Sequence, residues 1–373
     1  MTEASWRHLD LFCGPGGFAT GFEAAGFSTV AGIDIHKPSV LTFKANHPEA
    51  QVFAEDIRDL SIGEMLGGTS ENIHVITAGV PCEGFSMANR NRNRFVDERT
   101  FLFLELLRVA ESLKPPYIVL ENVAALSHHS NGFFSDEITR GMQDLGYLVE
   151  RRVLNALDYG VPQRRRRLFF IGRRPGWGFN WPDATHGISA AHKAHVTVWE
   201  AIGDLPPLEN GEVATEYSSG PVSEYAKRMR GASKDLLNHF AGTCKEETVK
   251  RIARTKQGEP MYPSYKQRIR LDAELPCPTL VSGGIRPQFH YGHPTQPRGL
   301  SIRERARIMS FPDCYVFEGG LVQGRVQTGD AVPPLLAEAV AKQIGIGLEA
   351  GPVCKVLPVE RLERVEQLTV MVD

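Results

Sequence analysis

Two side chains that could do covalent and proton-transfer chemistry each lie at the end of an apolar run. Cys82 follows a proline in "VITAGVPCEGFSMANR", and Glu121 ends the run in "YIVLENV". A deprotonated thiol is a nucleophile, and a carboxyl group can hold or deliver a proton. A single cysteine is more often an inert buried thiol. Cys82 is nevertheless a candidate nucleophile, because it lies where an apolar run gives way to an arginine-rich polar stretch.

A glycine-rich stretch and two later carboxylates are typical of a site for a nucleotide-like ligand. The stretch "DLFCGPGGF" contains Gly14, Gly16 and Gly17, which permit a tight turn and let a ligand approach bare backbone at a helix N-terminus. Asp34 in "AGIDIH" can accept hydrogen bonds from ribose hydroxyls, and Asp56 follows in "AEDI". Each acid alone is more often a helix cap or a solvated residue. Together, at predicted strand ends, they indicate an adenosine-containing cofactor.

Four consecutive arginines follow Gln163 in "GVPQRRRRLFFIG". Adjacent guanidinium groups are held together at a cost in free energy unless anions or carboxylates receive some of them. The stretch is therefore either a solvated basic loop that leads into a strand or part of a site for an anion. By itself, the stretch favours neither alternative.

Apolar runs alternate with helix-like segments throughout the first half of the chain. The runs "HLDLF", "STVAGID", "IHVITAG" and "YIVLEN" are each followed by such a segment, the last one near residues 133–145. This alternation predicts crossover units that build a parallel sheet, which is an α/β, doubly wound, Rossmann-like fold. Ligands of such sheets bind beyond the carboxyl ends of the strands, where the side chains named above fall.

The overall composition is that of an ordinary soluble protein. Of the 373 residues, 42% are hydrophobic and 23% are charged, and the formal net charge is -2. No run reaches the roughly 18 apolar residues of a membrane span, and the N-terminal residues lack the apolar region of a secretory signal. We therefore expect a cytoplasmic protein without membrane association. Six cysteines are scattered singly, which predicts free thiols and no metal site.

Positive charge is concentrated in the second half of the chain. Residues 226–310 contain 17 Lys or Arg against 7 Asp or Glu. Such a stretch either faces phosphate groups or forms a solvated surface, and the charge run alone favours the solvated surface.

Taken together, the motifs resemble those of the DNA (cytosine carbon-5) methyltransferases, over nearly the whole chain and in the family's order. The stretch "DLFCGPGGF" resembles the first motif, "GVPCEGFS" the Pro-Cys nucleophile motif, "ENV" the glutamate motif and "QRRRR" the Gln-x-Arg-x-Arg motif. The stretch "RGLSIRERARIMSFPD" resembles the ninth motif, and "QTGDAVPP" resembles the tenth. Six motifs in one order make the resemblance specific.

The resemblance implies transfer of a methyl group from S-adenosylmethionine to carbon 5 of a cytosine in duplex DNA, with S-adenosylhomocysteine as the product. Cys82 would add to carbon 6 of a base flipped out of the duplex, since carbon 5 alone is too poor a nucleophile. Glu121 would hold or protonate ring nitrogen 3. Arg165 would bond the base carbonyl and lower the pKa of the thiol, and Arg167 would support the site. Water is expected to remove the carbon 5 proton.

The resemblance also implies a cofactor site around the glycine turn. Phe12 would stack on adenine, Asp34 would bind the ribose, Ile35 would lie against the ring, and Asp56 with Ile57 would meet the adenine edge. Outside the motif context, core packing is the commoner role of a phenylalanine or isoleucine. Residues 81, 101 and 330–332 would line the methionine end. The implied set is Phe12, Gly14, Gly16, Gly17, Asp34, Ile35, Asp56, Ile57, Pro81, Phe101, Asp330, Ala331 and Val332.

Three residues depart from the usual family pattern. Glu83 replaces the common Gln of the nucleophile motif, Asp330 replaces the common Asn of the tenth motif, and Ser301 replaces the usual Thr of the ninth motif. The carboxylate of Asp330 would repel the carboxylate of the cofactor unless it is paired or protonated. These departures bear on cofactor affinity and leave the chemistry unchanged.

The resemblance divides the chain into three parts. Residues 1–180 would form the catalytic and cofactor-binding domain, completed by about 310–350. Residues 181–298 would form a smaller, irregular target recognition domain, and 351–373 a C-terminal extension. DNA would lie in the cleft, with residues 86–99 as a closing loop and Ser86 and Gln163 as DNA contacts. The candidate base readers are Arg268, Arg270, Arg286 and Gln288, any of which could equally bind phosphates.

Two other functions fit parts of the sequence. An RNA (tRNA) cytosine methyltransferase would share the catalytic lobe, but the Cys-Phe-Thr signature of that branch is absent. A noncatalytic DNA-binding relative would not need the combination of Cys82, Glu121, Arg165 and the glycine turn. We expect a nucleoid-associated monomer bound to double-stranded DNA. A cognate restriction endonuclease of a restriction-modification system is a candidate partner that the sequence neither supports nor excludes.

Overall fold

The structure, a computed structural model, describes residues 6–67, 72–80, 102–127, 132–189, 191–282 and 291–353. Seven strands form one sheet in the order β3-β2-β1-β4-β5-β7-β6. Strands β1 to β5 run parallel, and β7 is antiparallel to both β5 and β6. The predicted α/β, Rossmann-like fold is confirmed. The strands are β1 Trp6–Leu11, β2 Phe27–Ile33, β3 Gln51–Phe53, β4 Val75–Gly79, β5 Tyr117–Val123, β6 Leu148–Asn155 and β7 Arg166–Arg173.

Helices cover both faces of this sheet, so its central strands are buried on both sides. In β5, Tyr117 and Val119 belong to one apolar core cluster, whereas Ile118 and Leu120 belong to the other. This alternation follows from the two-residue repeat of a strand, and it explains why the strand reads as a continuous apolar run. The helices of this part are α1 Gly17–Ala24, α2 Lys37–Asn46, α3 Ile62–Met65, α4 Phe103–Leu113 and α5 Phe133–Asp144.

The rest of the chain contains shorter elements and then returns to the sheet. Val198, Tyr225 and Leu271 lie in the same core cluster as Tyr117 and Phe169 of the sheet, so apolar packing is continuous between the two parts. The bounds of a separate target recognition domain stay a prediction. The elements are α6 Val198–Ile202, α7 Glu224–Arg230, α8 Glu246–Arg254, β8 Ile269–Arg270, β9 Tyr291–Gly292, α9 Ile302–Ile308, α10 Gly320–Asp330 and α11 Pro334–Ala350.

Helix α11 packs closely against α1 because α1 presents a glycine to it. A Cβ atom added to Gly21 would lie 2.5 Å from Cβ of Ala337 and 2.6 Å from the carbonyl oxygen of Pro334. The two helices can therefore approach only while position 21 has no side chain. This contact holds the first turns of α11 against α1.

Candidate active site

The switch in strand order lies between β1 and β4, and Glu121 lies near the carboxyl end of β5, the neighbour of β4. Gly79 at the end of β4 is paired in register with Glu121 on β5. The side-chain amide of Asn122 donates to the carbonyl of Val80 at 3.2 Å. Cys82 lies outside the described residues, but it is two residues beyond Val80 and hence within roughly 7 Å of it along the chain.

Glu121 is buried and paired with an arginine of the neighbouring antiparallel strand. It is 7% exposed, and Arg167 Nε lies 2.8 Å from its Oε1 atom. Burial raises the pKa of Glu121, while Arg167 and Arg165 oppose that shift. The carboxyl group is therefore biased toward the protonated form, which can donate a proton or a hydrogen bond.

Arg165 is fully buried and binds backbone carbonyl groups. Its Nη1 donates to Leu280 at 2.9 Å, and its Nη2 donates to Gly329 at 2.8 Å and to Ala331 at 3.0 Å. The structure thus gives the two arginines of the motif different surroundings from those expected. Arg167 contacts the glutamate, whereas Arg165 connects the tenth motif to Leu280 in residues 181–298, which we call the second lobe.

Gln163, which we expected to contact DNA, is fully buried instead. Its side-chain oxygen accepts from the backbone N–H of Leu280 at 2.9 Å, and its amide nitrogen lies 2.9 Å from the sulfur of Met309. Both ends of the amide are used inside the protein. In this structure Gln163 connects its own segment to Leu280 and Met309, and a DNA contact of Gln163 stays a prediction.

The turn after β1 has the backbone conformation that its glycines predict. Gly14 and Gly16 have φ angles of 53° and 94°, in the left-handed region that favours glycine, and Phe12 also has a positive φ of 54°. A Cβ added to Gly14 would meet nothing within 4 Å, whereas one on Gly17 would lie 2.1 Å from the carbonyl oxygen of Val332. One side of the turn is thus open, and the other is packed against the tenth motif.

Asp34 lies beside this turn and is fixed by backbone donors. Its Oδ2 accepts from the N–H of Gly14 at 2.8 Å, and its Oδ1 accepts from the N–H of His36 at 2.7 Å. Burial raises the pKa of Asp34, and the two backbone donors oppose the rise. The carboxylate keeps acceptor capacity for a further donor. Ile35, the next residue, is 67% exposed, so its apolar side chain is available to a ligand.

Asp56 caps a short helical turn, which is the role such an acid most often has. It accepts from the backbone N–H of Arg58 at 3.0 Å, and its Oδ2 lies 2.6 Å from Arg58 Nη2. The pKa of Asp56 is lowered by the hydrogen bond from the Arg58 side chain. Ile57 is buried in the core. An adenine amino group would therefore share the Asp56 carboxylate with Arg58.

The tenth motif lies across the turn. Ala331 and Val332 are buried, and the carboxylate of Asp330 accepts a hydrogen bond from the side chain of Ser282. Although Asp330 has an exposed surface, loss of hydration raises its pKa, and Arg165 opposes the rise. The departure from the family's usual Asn is thus accommodated by a hydroxyl donor and a nearby guanidinium group. Pro81 and Phe101 lie outside the described residues.

These surroundings fit an adenosine-bearing sulfonium ligand. An open glycine turn lies beside the carboxylate of Asp34, which has remaining acceptor capacity, and beside the exposed apolar side chain of Ile35. Among the residues that the structure describes, no cluster of His, Cys, Asp or Glu could hold a metal ion.

Comparison with known proteins shows one family. A model of the family described as C-5 cytosine-specific DNA methylase matches residues 6–346. The chain belongs to this family. A type II methyltransferase, M1.HphI of Haemophilus parahaemolyticus, is 35% identical over 352 residues, which cover 91% of this chain and 87% of the relative. The type II methyltransferase M.DdeI of Desulfomicrobium norvegicum is 33% identical and covers 90% of this chain and 88% of its own length.

Solved structures support the fold of this methylase. A putative DNA modification methyltransferase from a prophage of E. coli has a TM-score of 0.78 at 24% identity and covers 92% of this chain and 100% of its own. The methylase is a DNA (cytosine-5-)-methyltransferase, and its cofactor is S-adenosylmethionine. In the described parts of the chain, no helix is both long and apolar enough to cross a membrane.

Part of the positive charge of the methylase's second half is internal. Four arginines of the ninth motif, Arg298, Arg303, Arg305 and Arg307, are at most 5% exposed. Arg307 pairs with Asp313 at 2.7 Å. Arg305 donates to the hydroxyl of Thr328 and to the carbonyl of Val281, and burial lowers its pKa to about 10. These side chains contribute to packing between segments and do not form a phosphate-facing surface.

The contacts of Arg268 and Arg270 distinguish these two candidate base readers. Arg270 donates to the carbonyls of Ile252, Thr255 and His293, so it closes the C-terminal end of α8. Arg268 lies over the ring of Tyr265 at 4.3 Å, beside Lys266 on an exposed part of the chain. Arg268 stays a candidate, whereas Arg270 has a structural role here. Arg286, Gln288 and Ser86 lie outside the described residues.

Sequence reasoning missed a side chain that holds the backbone at the end of the described segment before Cys82. Asn122 directly follows Glu121, is 3% exposed and holds the carbonyl of Val80. Its only signal in the sequence was its place in "ENV", because a buried amide at the end of a strand needs partners.

Proposed function

We propose that this methylase modifies a cytosine that is flipped out of duplex DNA, and that Cys82 forms a transient bond to the base. The observation that carries the proposal is the buried pair of Glu121 and Arg167 at the end of β5. That pair lies beside Val80, whose carbonyl is bound by Asn122, two residues before Cys82. A stacked base could not reach residues at this edge, so extrusion of the base is required.

The proposed steps begin and end with the thiolate. The sulfur of Cys82 adds to carbon 6, and the electrons of the carbon 5–carbon 6 double bond become available at carbon 5. Glu121 donates a proton or hydrogen bond to ring nitrogen 3 and so stabilises the negative charge. S-adenosylmethionine, when bound, supplies the methyl group that carbon 5 attacks. Water then removes the carbon 5 proton, the carbon–sulfur bond breaks, and Cys82 leaves as a thiolate.

We further propose a division of roles between the two arginines that reverses the expectation from the motif. Arg167 contacts Glu121, so it is the guanidinium placed to bond the base carbonyl and to favour the thiolate of Cys82. Three N–H groups of Arg165 donate to carbonyls on two segments, so it is a supporting residue. The same surroundings support the implied cofactor set. Asp34 would bind the ribose and Ile35 the adenine ring, with Asp330 at the methionine end.

The DNA partner and the biological setting are proposed from the relatives. Those compared above are named type II methyltransferases, which supports a restriction-modification role for this chain. Ser86 in the predicted closing loop would contact phosphates. A monomer suffices, since one base is flipped in each event. A cognate restriction endonuclease would cut the same DNA sequence in its unmethylated form.

Bisulfite sequencing of DNA from cells that express the chain is the first experiment. We expect protected cytosines in one short sequence context, which would also identify the recognition sequence. Protected cytosines in RNA of the same cells, with unmodified DNA, would overturn the DNA proposal in favour of the RNA alternative.

Trapping on 5-fluorocytosine is the second experiment. A fluorine at carbon 5 cannot leave as a proton does, so the covalent adduct should persist after methyl transfer. With duplex DNA that carries 5-fluorocytosine in the identified context, we expect a denaturant-stable complex for the native chain and for Cys314→Ala, an exposed control cysteine. We expect none for Cys82→Ala. A stable adduct in Cys82→Ala would refute the assignment of the nucleophile.

A further inference from the structure

Asp330 is the last residue of α10, and its backbone is held by the residues around it. Arg165 donates to the carbonyls of Gly329 and Ala331, the residues directly before and after Asp330. A Cβ atom added to Gly329 would lie 2.1 Å from the backbone nitrogen of Ser282, so the two segments are in close contact. The position of Asp330 is therefore fixed by the protein before any ligand binds.

The carboxylate of Asp330 is accessible but lies in a recess. Asp330 is exposed, whereas Ala331 and Val332, which follow it, are buried. Loss of hydration nevertheless raises the pKa of Asp330. A side chain that is both accessible and partly dehydrated has protein around it and an opening in front of it. Polar groups that orient a ligand in a concave site have such surroundings.

This recess lies between the two ends of the proposed site. His36, two residues after Asp34, interacts electrostatically with Asp330. Arg167 and Glu121, the pair proposed to meet the base, also interact with Asp330. The methyl group must pass from the sulfur of the cofactor to the base, so that sulfur and the attached methionine end would lie between the ribose carboxylate and this pair. Asp330 is in the same interval.

The donors and acceptors of the two partners determine which group of the methionine end Asp330 can bind. An ionised carboxylate only accepts hydrogen bonds, and an ammonium group only donates them. The methionine end carries one ammonium group and one carboxylate. Asparagine, the common residue at this position in the family, could donate to the ligand carboxylate through its amide nitrogen. Ionised Asp330 has no proton to donate and repels a second carboxylate, so the ammonium is the group that it can bind.

We propose that Asp330 binds the ammonium group of the cofactor's methionine end. The hydroxyl of Ser282 donates to the same carboxylate and orients it, and acceptor capacity remains for the ligand. This assignment also explains how the carboxylate of Asp330 and that of the cofactor can occupy one site, because the ammonium lies between them. The assignment rests on the proposed cofactor site and names the ligand group that Asp330 recognises.

Titration calorimetry with two ligands tests this proposal. The first is S-adenosylhomocysteine, and the second is the analogue in which a hydrogen atom replaces its α-amino group. We expect the native chain to bind S-adenosylhomocysteine roughly ten-fold or more tightly, which is the lower end of the range for a hydrogen bond between charged groups. Asp330→Asn should lose most of this preference, since an amide carries no charge. Equal affinities of the native chain for the two ligands, or a preference that Asp330→Asn keeps in full, would overturn the proposal.

Asp34→Asn is the matched control. It makes the same change from carboxylate to amide, but at the proposed ribose end of the site. Both ligands contain the same ribose, so we expect Asp34→Asn to weaken them by the same factor and to leave the preference between them unchanged. If both variants lost the preference, the effect of Asp330→Asn would be merely structural and the assignment would be wrong.

S-adenosylmethionine separates the ammonium from the sulfonium. It carries both positive charges, whereas S-adenosylhomocysteine carries only the ammonium. We expect Asp330→Asn to weaken these two ligands by similar factors. A loss confined to S-adenosylmethionine would place the sulfonium, and not the ammonium, beside Asp330. If the native chain bound none of the three ligands, the proposed cofactor site would be wrong as well, and the two failures are thus distinguishable.

Discussion

Replacing Gly17 by alanine tests whether the packed side of the glycine turn determines cofactor affinity. The new Cβ would lie 2.1 Å from the carbonyl oxygen of Val332, and contacts below 3.0 Å are essentially never seen. The start of α1 and the tenth motif must therefore separate by about 1 Å. Both are backbone segments, so neither can yield by rotating a side chain. The displaced residue Val332 belongs to the proposed methionine end of the cofactor site.

Two opposing effects determine how much Gly17→Ala changes the free energy of unfolding. Overpacking in a close contact costs roughly 1 to 3 kcal/mol. Alanine is a better helix former than glycine by roughly 1 kcal/mol, and Gly17 is the first residue of α1. The net loss in the free energy of unfolding should therefore be about 0 to 2 kcal/mol. A loss of cofactor affinity of roughly ten-fold or more, which corresponds to about 1.4 kcal/mol, should accompany it.

Two other glycines provide matched controls. Gly21 lies one turn further along α1 and has the same kind of clash, at 2.5 Å from Cβ of Ala337, but away from the turn. Gly63 lies in α3, where an added Cβ meets nothing within 4 Å. We expect Gly21→Ala to lose stability with a smaller change in cofactor affinity, and Gly63→Ala to be neutral or slightly stabilising.

On the same protein samples, urea unfolding measures the free energy of unfolding, and titration calorimetry with S-adenosylhomocysteine measures the cofactor affinity. We expect the order of the three variants in cofactor affinity to differ from their order in the free energy of unfolding. If Gly17→Ala bound the ligand as tightly as Gly21→Ala, the tenth motif would not be coupled to the cofactor through this contact. The packed side of the turn would then be only a structural feature.

Three further predictions concern charged groups. Burial raises the pKa of Glu121, so the rate of single-turnover methylation should fall as pH rises through that pKa. Glu121→Gln should remove this decline with pH and lower the rate roughly 10²- to 10⁴-fold. Arg307→Met should lower the urea-measured free energy of unfolding by roughly 3 to 5 kcal/mol, because two carboxylates lose their buried partner. Arg228→Met is the control: Arg228 is half-exposed and pairs with Glu338, so the free energy of unfolding should fall by about 1 kcal/mol or less. Burial lowers the pKa of His293 from 6.5 to about 4, so stability should decline as pH falls through that interval. His293→Gln should reduce that slope in urea titrations by up to about 1.4 kcal/mol per pH unit.

The strand ends were predictable because the first half of the sheet has a simple physical signature. Strands such as β4 and β5 are short and buried on both faces, so they appear as unbroken apolar runs. In a parallel sheet the residues after each run meet at one edge. That rule alone places Gly14, Asp34 and Glu121 together, before any distance is known.

The roles of the two arginines were not predictable in the same way. Strand β7 inserts beside β5 in the antiparallel direction, and the alternation of apolar runs contains no signal for that insertion. Its register pairs Val123 with Arg167 and Glu121 with Phe169, so Arg167 lies two residues from the position opposite the glutamate. Arg165 lies on the same face but beyond the start of the strand. A shift of two residues in register would put Arg165 where Arg167 lies and Arg167 opposite Glu121.

The basic surplus of residues 226–310 was ambiguous for a related reason. A count of charges records the donors but not their acceptors, and many acceptors here are backbone carbonyls distant in sequence. Arg303, for example, donates to the carbonyls of Leu237, Pro312 and Tyr315. Composition does not show which arginines donate to backbone carbonyls. The charge count therefore could not separate arginines on a surface from arginines that form internal hydrogen bonds.

These internal ties couple the two parts of the proposed site. The segment that leaves the second lobe at Leu280 and Val281 is bound by Gln163, Arg165 and Arg305, which come from two of the recognised motifs. Arg165 also holds the carbonyls of the tenth motif beside the cofactor turn. A displacement of that segment on DNA binding would therefore change the same guanidinium group that positions the methionine end. Because three N–H groups of Arg165 donate to carbonyls in fixed directions, its guanidinium group is a geometric link between the second lobe and the tenth motif.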